Sequence, residues 1–355
     1  MIDKYLSDKL RLISFFSIIM VVFLHSYNLG EEMLIDFSIK KNYVFFIQYF
    51  ISQGITRVAV PIFFTISGYL LFFSKKQTIN DYKLLLQKRF KSLVIPYLFW
   101  SILLFFVFFL LQNLSLTTSF FKQKHINTYT IIEVIKTIFI NPIPFQLWFI
   151  RDLFVFIVLS PAIYVIIKYL KTIVLFLLLI LWFLQFDFVF FSNEALLFFT
   201  LGAFLAINKV NLKNYNLSKK SIFLITVWLS IVLCESLLVY YNFSHVSYIN
   251  VIHKSGILIG IYAIWFFYDF IFIKDEVLKP SYMILAQLSF FIYVFHEPFL
   301  DIIKIVFFKV FGNSEFLLFF LYVTSPAFTI LVCLFVGQYL KRFTPVFFKI
   351  ITGGR

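Results

Sequence analysis

Apolar stretches of roughly twenty residues recur along this chain, each able as a helix to cross a hydrocarbon layer about 30 Å thick. Between them stand short loops in which lysine and arginine cluster. The expected fold is all-α: a polytopic membrane helical bundle with about ten transmembrane helices, forming a single domain over residues 1–355. A water-soluble globule is excluded, because 62% of the residues are hydrophobic and only 14% charged, where soluble domains carry about a quarter charged residues. The net charge of +14 could point to nucleic acid, but the cations gather between apolar spans and act as topology signals. Abundant Phe and Tyr suit lipid-facing surfaces and interfacial belts.

The first span covers about 12–29 and exits through Glu31, Glu32 and Asp36. A basic flank precedes it, but His25-Ser26-Tyr27-Asn28 offers no small-x-small cleavage site, so it reads as a retained span rather than a signal peptide. Residues 43–54 are apolar yet too short to cross unaided and read as interfacial or re-entrant, ahead of a second span at about 55–73. Lys75, Lys76, Lys83, Lys88, Arg89 and Lys91 against Asp81 alone mark the next loop as cytoplasmic. Pro96 then falls in the first turns of span three, where a missing N–H costs little.

The region of about 113–145 is polar, holds an amphipathic helix at 129–140, and ends in Asn141-Pro142-Ile143-Pro144, which cannot continue a helix. By alternation it is extracytoplasmic. Span four runs from Gln146 to about Ile167, and further spans cover about 172–190, 195–208, 221–240, 251–273, 283–307 and 316–340. Outer turns fall at Ser192-Asn193-Glu194 and around His245, and a mixed-charge inner turn at Lys274-Asp275-Glu276 and Lys279-Pro280. This count places both termini in the cytoplasm. Cys234 and Cys333 lie inside apolar spans without metal-type spacing, so neither a disulfide framework nor a metal site is expected.

Ionisable groups inside such spans are expensive, so their positions carry information. His25 ends the first apolar run, about 20 Å beyond Arg11 and within about 40° of it around a helix, so both can face one polar interior. On the alternating topology, His25, Arg57, Arg151, Asp152, Glu235, His296 and Glu297 all fall in the outer half of the membrane, which favours one shared cavity over scattered structural pairs. Imidazole, carboxylate and guanidinium together are what activation of a hydroxyl requires: a base, a group to orient it, and cations to stabilise an oxyanion. The same inventory serves a proton-coupled transporter of polysaccharide or a small metabolite, although no repeat of one half in the other points to alternating access. Simpler readings also stand: Ser67-Gly68 as close helix packing, Trp148 as an interface anchor, Arg151-Asp152 as a mutually satisfied pair.

Several stretches resemble the acyltransferase-3 family of bacterial integral-membrane O-acyltransferases. They are Val21-Val22-Phe23-Leu24-His25, Arg57 to Tyr69, Lys88 to Tyr97, Leu147 to Leu153, Phe290 to Pro298, and Gly353-Gly354-Arg355. The resemblance covers nearly the whole chain. It implies a catalytic histidine at His25 and an arginine ten residues before it, where this chain has Ser14, with Arg11 one turn earlier. It also implies transfer of an acyl group, most simply acetyl, from cytoplasmic acyl-coenzyme A to a glycan or lipid-linked saccharide in the bacterial cytoplasmic membrane. His25 is then the base, with Glu297 or Asp152 as orienting carboxylate. Arg57, Arg151, Trp148 and His296 attend the acceptor or the developing charge, and Arg11, Lys88, Arg89 and Lys91 attract the donor's phosphates. The acyl-CoA is a co-substrate, and no tightly bound cofactor is expected.

Overall fold

A computed structural model describes residues 3–27, 42–73, 79–115, 118, 121, 124–188, 190–212, 218–243, 247–272, 282, 285–312 and 314–354. The expected acidic exit at Glu31, Glu32 and Asp36, the pair Lys75-Lys76, His245, the mixed-charge turn at 274–280 and Arg355 lie outside the described residues. Among the described residues all regular structure is helical. Among the described residues five helices are long and apolar enough to cross a membrane, or six if one bent pair counts as a single span. The chain divides into two compact units: Met1–His25, Lys41–Thr78 and Phe156–Ser289 form the first, and Ser26–Lys40, Ile79–Val155 and Phe290–Arg355 the second.

In the first unit, α1 (Lys4–His25) starts where Leu6 N donates to Asp3 Oδ1 at 2.7 Å and ends at His25. Its 22 residues rise about 33 Å. Residues 43–54 do not form a separate interfacial piece. They continue into the second span as one 31-residue helical run, α2 (Tyr43–Phe73), through a π-helical turn at Tyr49–Gly54 and a 3-10 turn at Ile55–Val58. Two short helices, α7 (Thr172–Phe183) and α8 (Asn193–Ile207), precede the long antiparallel pair α9 (Ser218–Tyr240) and α10 (Ser247–Ile271). Gly68 lies against the Phe199 carbonyl and Gly202 against the Thr65 carbonyl, so α2 and α8 approach backbone to backbone where any Cβ would collide.

In the second unit, α3 (Asp81–Asn113) is one 33-residue helix. Within it Pro96 falls in the first turn of the α-helical segment Ile95–Asn113, as expected, and a π-helical turn at Phe90–Val94 precedes it. Pro96 cannot donate to the Ser92 carbonyl. Gly353, at φ +67°, approaches that carbonyl so closely that a side chain would not fit. The tail helix α13 (Pro345–Ile351) docks beside it, with Trp100 Nε1 donating to Ile351 O at 3.0 Å.

The amphipathic helix expected at 129–140 is α4 (Ile131–Phe139), opened by a capping box between Thr130 and Glu133. Ile126 N donates to Gln112 Oε1 at 2.7 Å, Ser101 Oγ to Ile138 O at 2.8 Å and Tyr97 OH to Phe139 O at 2.9 Å. This segment therefore runs antiparallel down α3 from Gln112 to Tyr97. Ile131, Ile132, Ile135 and Phe139 remain exposed beside an apolar span.

Span four is broken. Helix α5 (Trp148–Val158) bends by 65° into helix α6 (Ser160–Leu170), which belongs to the first unit, because Pro161 cannot serve as an interior donor. Helix α11 (Ser289–Phe311) is also interrupted: Glu297 leaves helical geometry at φ −107°, ψ 137°, just before Pro298. Helix α12 (Glu315–Phe343) completes the unit and is capped by Ser314.

Candidate active site

The candidate residues fall in both units. The first unit holds Arg11, His25 and Arg57. Arg11 is exposed, whereas the buried cation of α1 is Lys9, 1% exposed, which the sequence reading passed over. Lys9 Nζ reaches both oxygens of Asp269 at 2.7 Å and lies 3.8 Å from the centre of the Trp265 ring, while Tyr5 OH donates to Asp269 Oδ1 at 2.5 Å. This ties the start of α1 to the end of α10. At its other end His25 is half-buried, and Ser52 Oγ, in the π-helical turn, donates to Phe23 O at 2.6 Å.

That turn organises the surrounding polar groups. Gln53 Oε1 accepts from Arg57 Nε at 2.9 Å and also from Nη2, which holds the guanidinium along α2. Tyr49 OH donates to Glu235 Oε1 at 3.0 Å, and His253 Nδ1 lies 2.9 Å from the same oxygen. Glu194, at the start of α8, accepts from Trp182 Nε1 at 3.0 Å and has the basic side chains Arg57, His253 and Lys254 nearby. Lys254 Nζ in turn donates to the Trp182 carbonyl. Spacing could not flag Glu194, His253 or Lys254, because each lies near a helix start where a polar residue is ordinary.

The second unit holds Lys88, Arg89, Lys91, Trp148, Arg151, Asp152, His296 and Glu297. Asp152 is fully buried and paired with its neighbour: Arg151 Nε and Nη2 reach Asp152 Oδ1 at 2.9 and 2.8 Å. Arg151 Nη1 donates to Ile140 O at 2.7 Å, so the guanidinium also closes the end of α4. Trp148 is half-buried on the first turn of α5. Glu297 and His296 are buried in α11; His296 Nδ1 meets Ile292 O at 3.0 Å, and Gln146 Nε2 donates to Glu297 O at 3.3 Å, where the helix break frees that carbonyl. Tyr293 OH donates to Gln146 O at 2.5 Å. Two further charges, missed in the sequence, follow on α11: Asp301 and the buried Lys304, paired at 2.7 Å, are the charged neighbours of Glu297.

The depth expected for Arg151 and Asp152 needs correcting. Because α4 carries the chain back along α3, this pair stands near Tyr97, about 9 Å in helical rise from Lys91. It therefore lies toward the basic end of α3, not the end near Asn113. Lys88 and Lys91 are exposed there and Arg89 is half-buried.

Long apolar helices enclosing buried acid, base and guanidinium groups define an integral-membrane protein equipped for chemistry or proton movement. The family separates these: the model described as "Acyltransferase domain" matches residues 9–337, so the chain belongs to that family and is an acyltransferase rather than a carrier. It is also similar to the "Succinoglycan biosynthesis protein ExoH" of Rhizobium meliloti (strain 1021), 23% identical over 366 residues that take in 99% of this chain and 94% of the relative. No solved structure matches.

Proposed function

We propose that the protein transfers an acyl group, most simply acetyl, from acyl-coenzyme A to a hydroxyl of a surface polysaccharide or its lipid-linked precursor. The observation that carries this is the family match, which runs from α1 through α12 and so takes in both units. The relative's name, which places that protein in succinoglycan biosynthesis, supports a polysaccharide acceptor. The chain works as one domain in the bacterial cytoplasmic membrane, crossing it about ten times with both termini inside.

His25 is the base that takes the acceptor hydroxyl's proton as its oxygen attacks the thioester carbonyl; the thiol leaves with a proton, so none is consumed overall. Arg57 stabilises negative charge on the attacked oxygen or holds the acceptor. Lys88, Arg89 and Lys91 attract the nucleotide phosphates of the donor. Arg151, His296 and Glu297, with Trp148, receive the donor's acyl end, an assignment supported by the position of Arg151 toward the basic end of α3, where buried Asp152 holds its guanidinium. Arg11 adds to the attraction of the donor phosphates.

The test is His25→Ala in a host whose surface polysaccharide is analysed by mass spectrometry. Loss of acylation at unchanged protein level is expected. Unchanged acyl content removes His25 from the mechanism.

A further inference from the structure

The first unit contains a second imidazole whose setting differs from that of a packing histidine. Glu235 is 2% exposed, and its Oε1 accepts from Tyr49 OH and lies 2.9 Å from His253 Nδ1. A buried carboxylate that already accepts from a phenol takes a second donor, so Nδ1 is turned toward Glu235. Nε2 is the ring atom left to meet a ligand. The His253 side chain keeps 24% exposure, so the ring is partly open.

The register of the helices sets this group level with His25. Lys9 of α1 pairs with Asp269 of α10. From Lys9 to His25 is sixteen residues, and from Asp269 back to His253 is also sixteen. Each step climbs about 24 Å. The π-helical turn at Tyr49–Gly54 bridges the two: Ser52 bonds the Phe23 carbonyl, two residues before His25, and Tyr49, one turn away, bonds Glu235. The ligand that suits a half-open imidazole beside Glu194, which also has the Gln53-bound Arg57 nearby, is a polyol whose hydroxyls can donate and accept in turn.

We propose that His253 Nε2 accepts a hydrogen bond from a hydroxyl of the saccharide acceptor, and that Glu235 and Tyr49 are positioning residues acting through His253. This rests on the acyl-transfer reading and names part of its acceptor site.

The test uses full-length protein in detergent, acetyl-coenzyme A as donor, and polysaccharide extracted from cells lacking the protein as acceptor. In the His253→Asn variant an amide stands where Nδ1 was, so Glu235 keeps its partner while Nε2 is lost. Its half-saturating polysaccharide concentration should rise about ten-fold, the loss of one hydrogen bond at a binding site, with that for acetyl-coenzyme A unchanged within about two-fold. Glu235→Gln and Tyr49→Phe should shift the same constant by about three-fold, and they carry the test if His253→Asn fails to elute as a monodisperse peak. Unchanged half-saturation by polysaccharide in these variants, a parallel shift in both constants, or loss of turnover alone overturns the assignment while leaving acyl transfer intact. Absence of acyl transfer by the wild-type protein in the same assay overturns the acyl-transfer reading itself.

Discussion

Two buried carboxylates, one in each unit, are held in opposite ways. Glu235 is held by two separate donors from other segments, a phenol and an imidazole, and the imidazole stays partly open. Asp152 is held by the guanidinium beside it, which also fastens the end of α4, and it is fully buried. A carboxylate that orients a ring leaves that ring ready for a ligand. One that neutralises an arginine chiefly holds local structure. The sequence motifs alone would rank Asp152 above Glu235 for chemistry, and the hydrogen bonds reverse that order for acceptor contact.

Removing His25 should have the largest effect on activity, with His25→Ala lowering acylation by at least about 100-fold, the usual contribution of a general base. The protein's amount should not change, which immunoblotting of membranes checks. Asp152→Ala should instead act on stability, stranding the Arg151 guanidinium at a cost of about 3–5 kcal/mol. Thermal unfolding of the detergent-solubilised protein would show this, and a variant of normal melting temperature and lost activity would break the contrast by making Asp152 a chemical group.

Gly202→Val should follow, because a side chain there meets the Thr65 carbonyl of α2, an overpacking worth about 1–3 kcal/mol. The same melt measures it, and a melting temperature equal to wild type would mean that α2 and α8 can part without loss.

The smallest effect belongs to the rim of the second unit. Lys124, at 2.6 Å, and the Thr130 cap hold the Glu133 carboxyl at about 2, below its ordinary 4.5. A depressed value means that the stabilisation is whole above 4.5 and is lost as the pH falls toward 2. Proteolysis near Lys124 with an acid-active protease should accelerate over that window in the wild type. Glu133→Gln should flatten the dependence without altering transfer at neutral pH.

Much of the fold was legible because hydropathy is local: the spans at 221–240, 251–273 and 316–340 correspond to helices Ser218–Tyr240, Ser247–Ile271 and Glu315–Phe343. Glycines 68 and 202 act as the packing residues their size suggests. Errors concentrated at prolines and polar interruptions. Pro96 opens an α-helical segment behind a π-helical turn, as its position suggested, whereas Pro161 and Pro298 mark a bend and a break. The same residue type gave different outcomes because neighbouring segments satisfy the freed carbonyls differently.

Hydropathy and motif order already specify an integral-membrane helical chain, a histidine closing its first helix, and a family likeness strong enough to imply acyl transfer. Which polar groups meet emerges in three dimensions: α4 returns along α3 and brings Arg151 toward the basic end, and Lys9 pairs with Asp269. The physical reason is that span lengths follow from the free energy of burying each segment in lipid. Partners are chosen by long-range packing and hydrogen bonds between segments far apart in the chain, which no local period encodes.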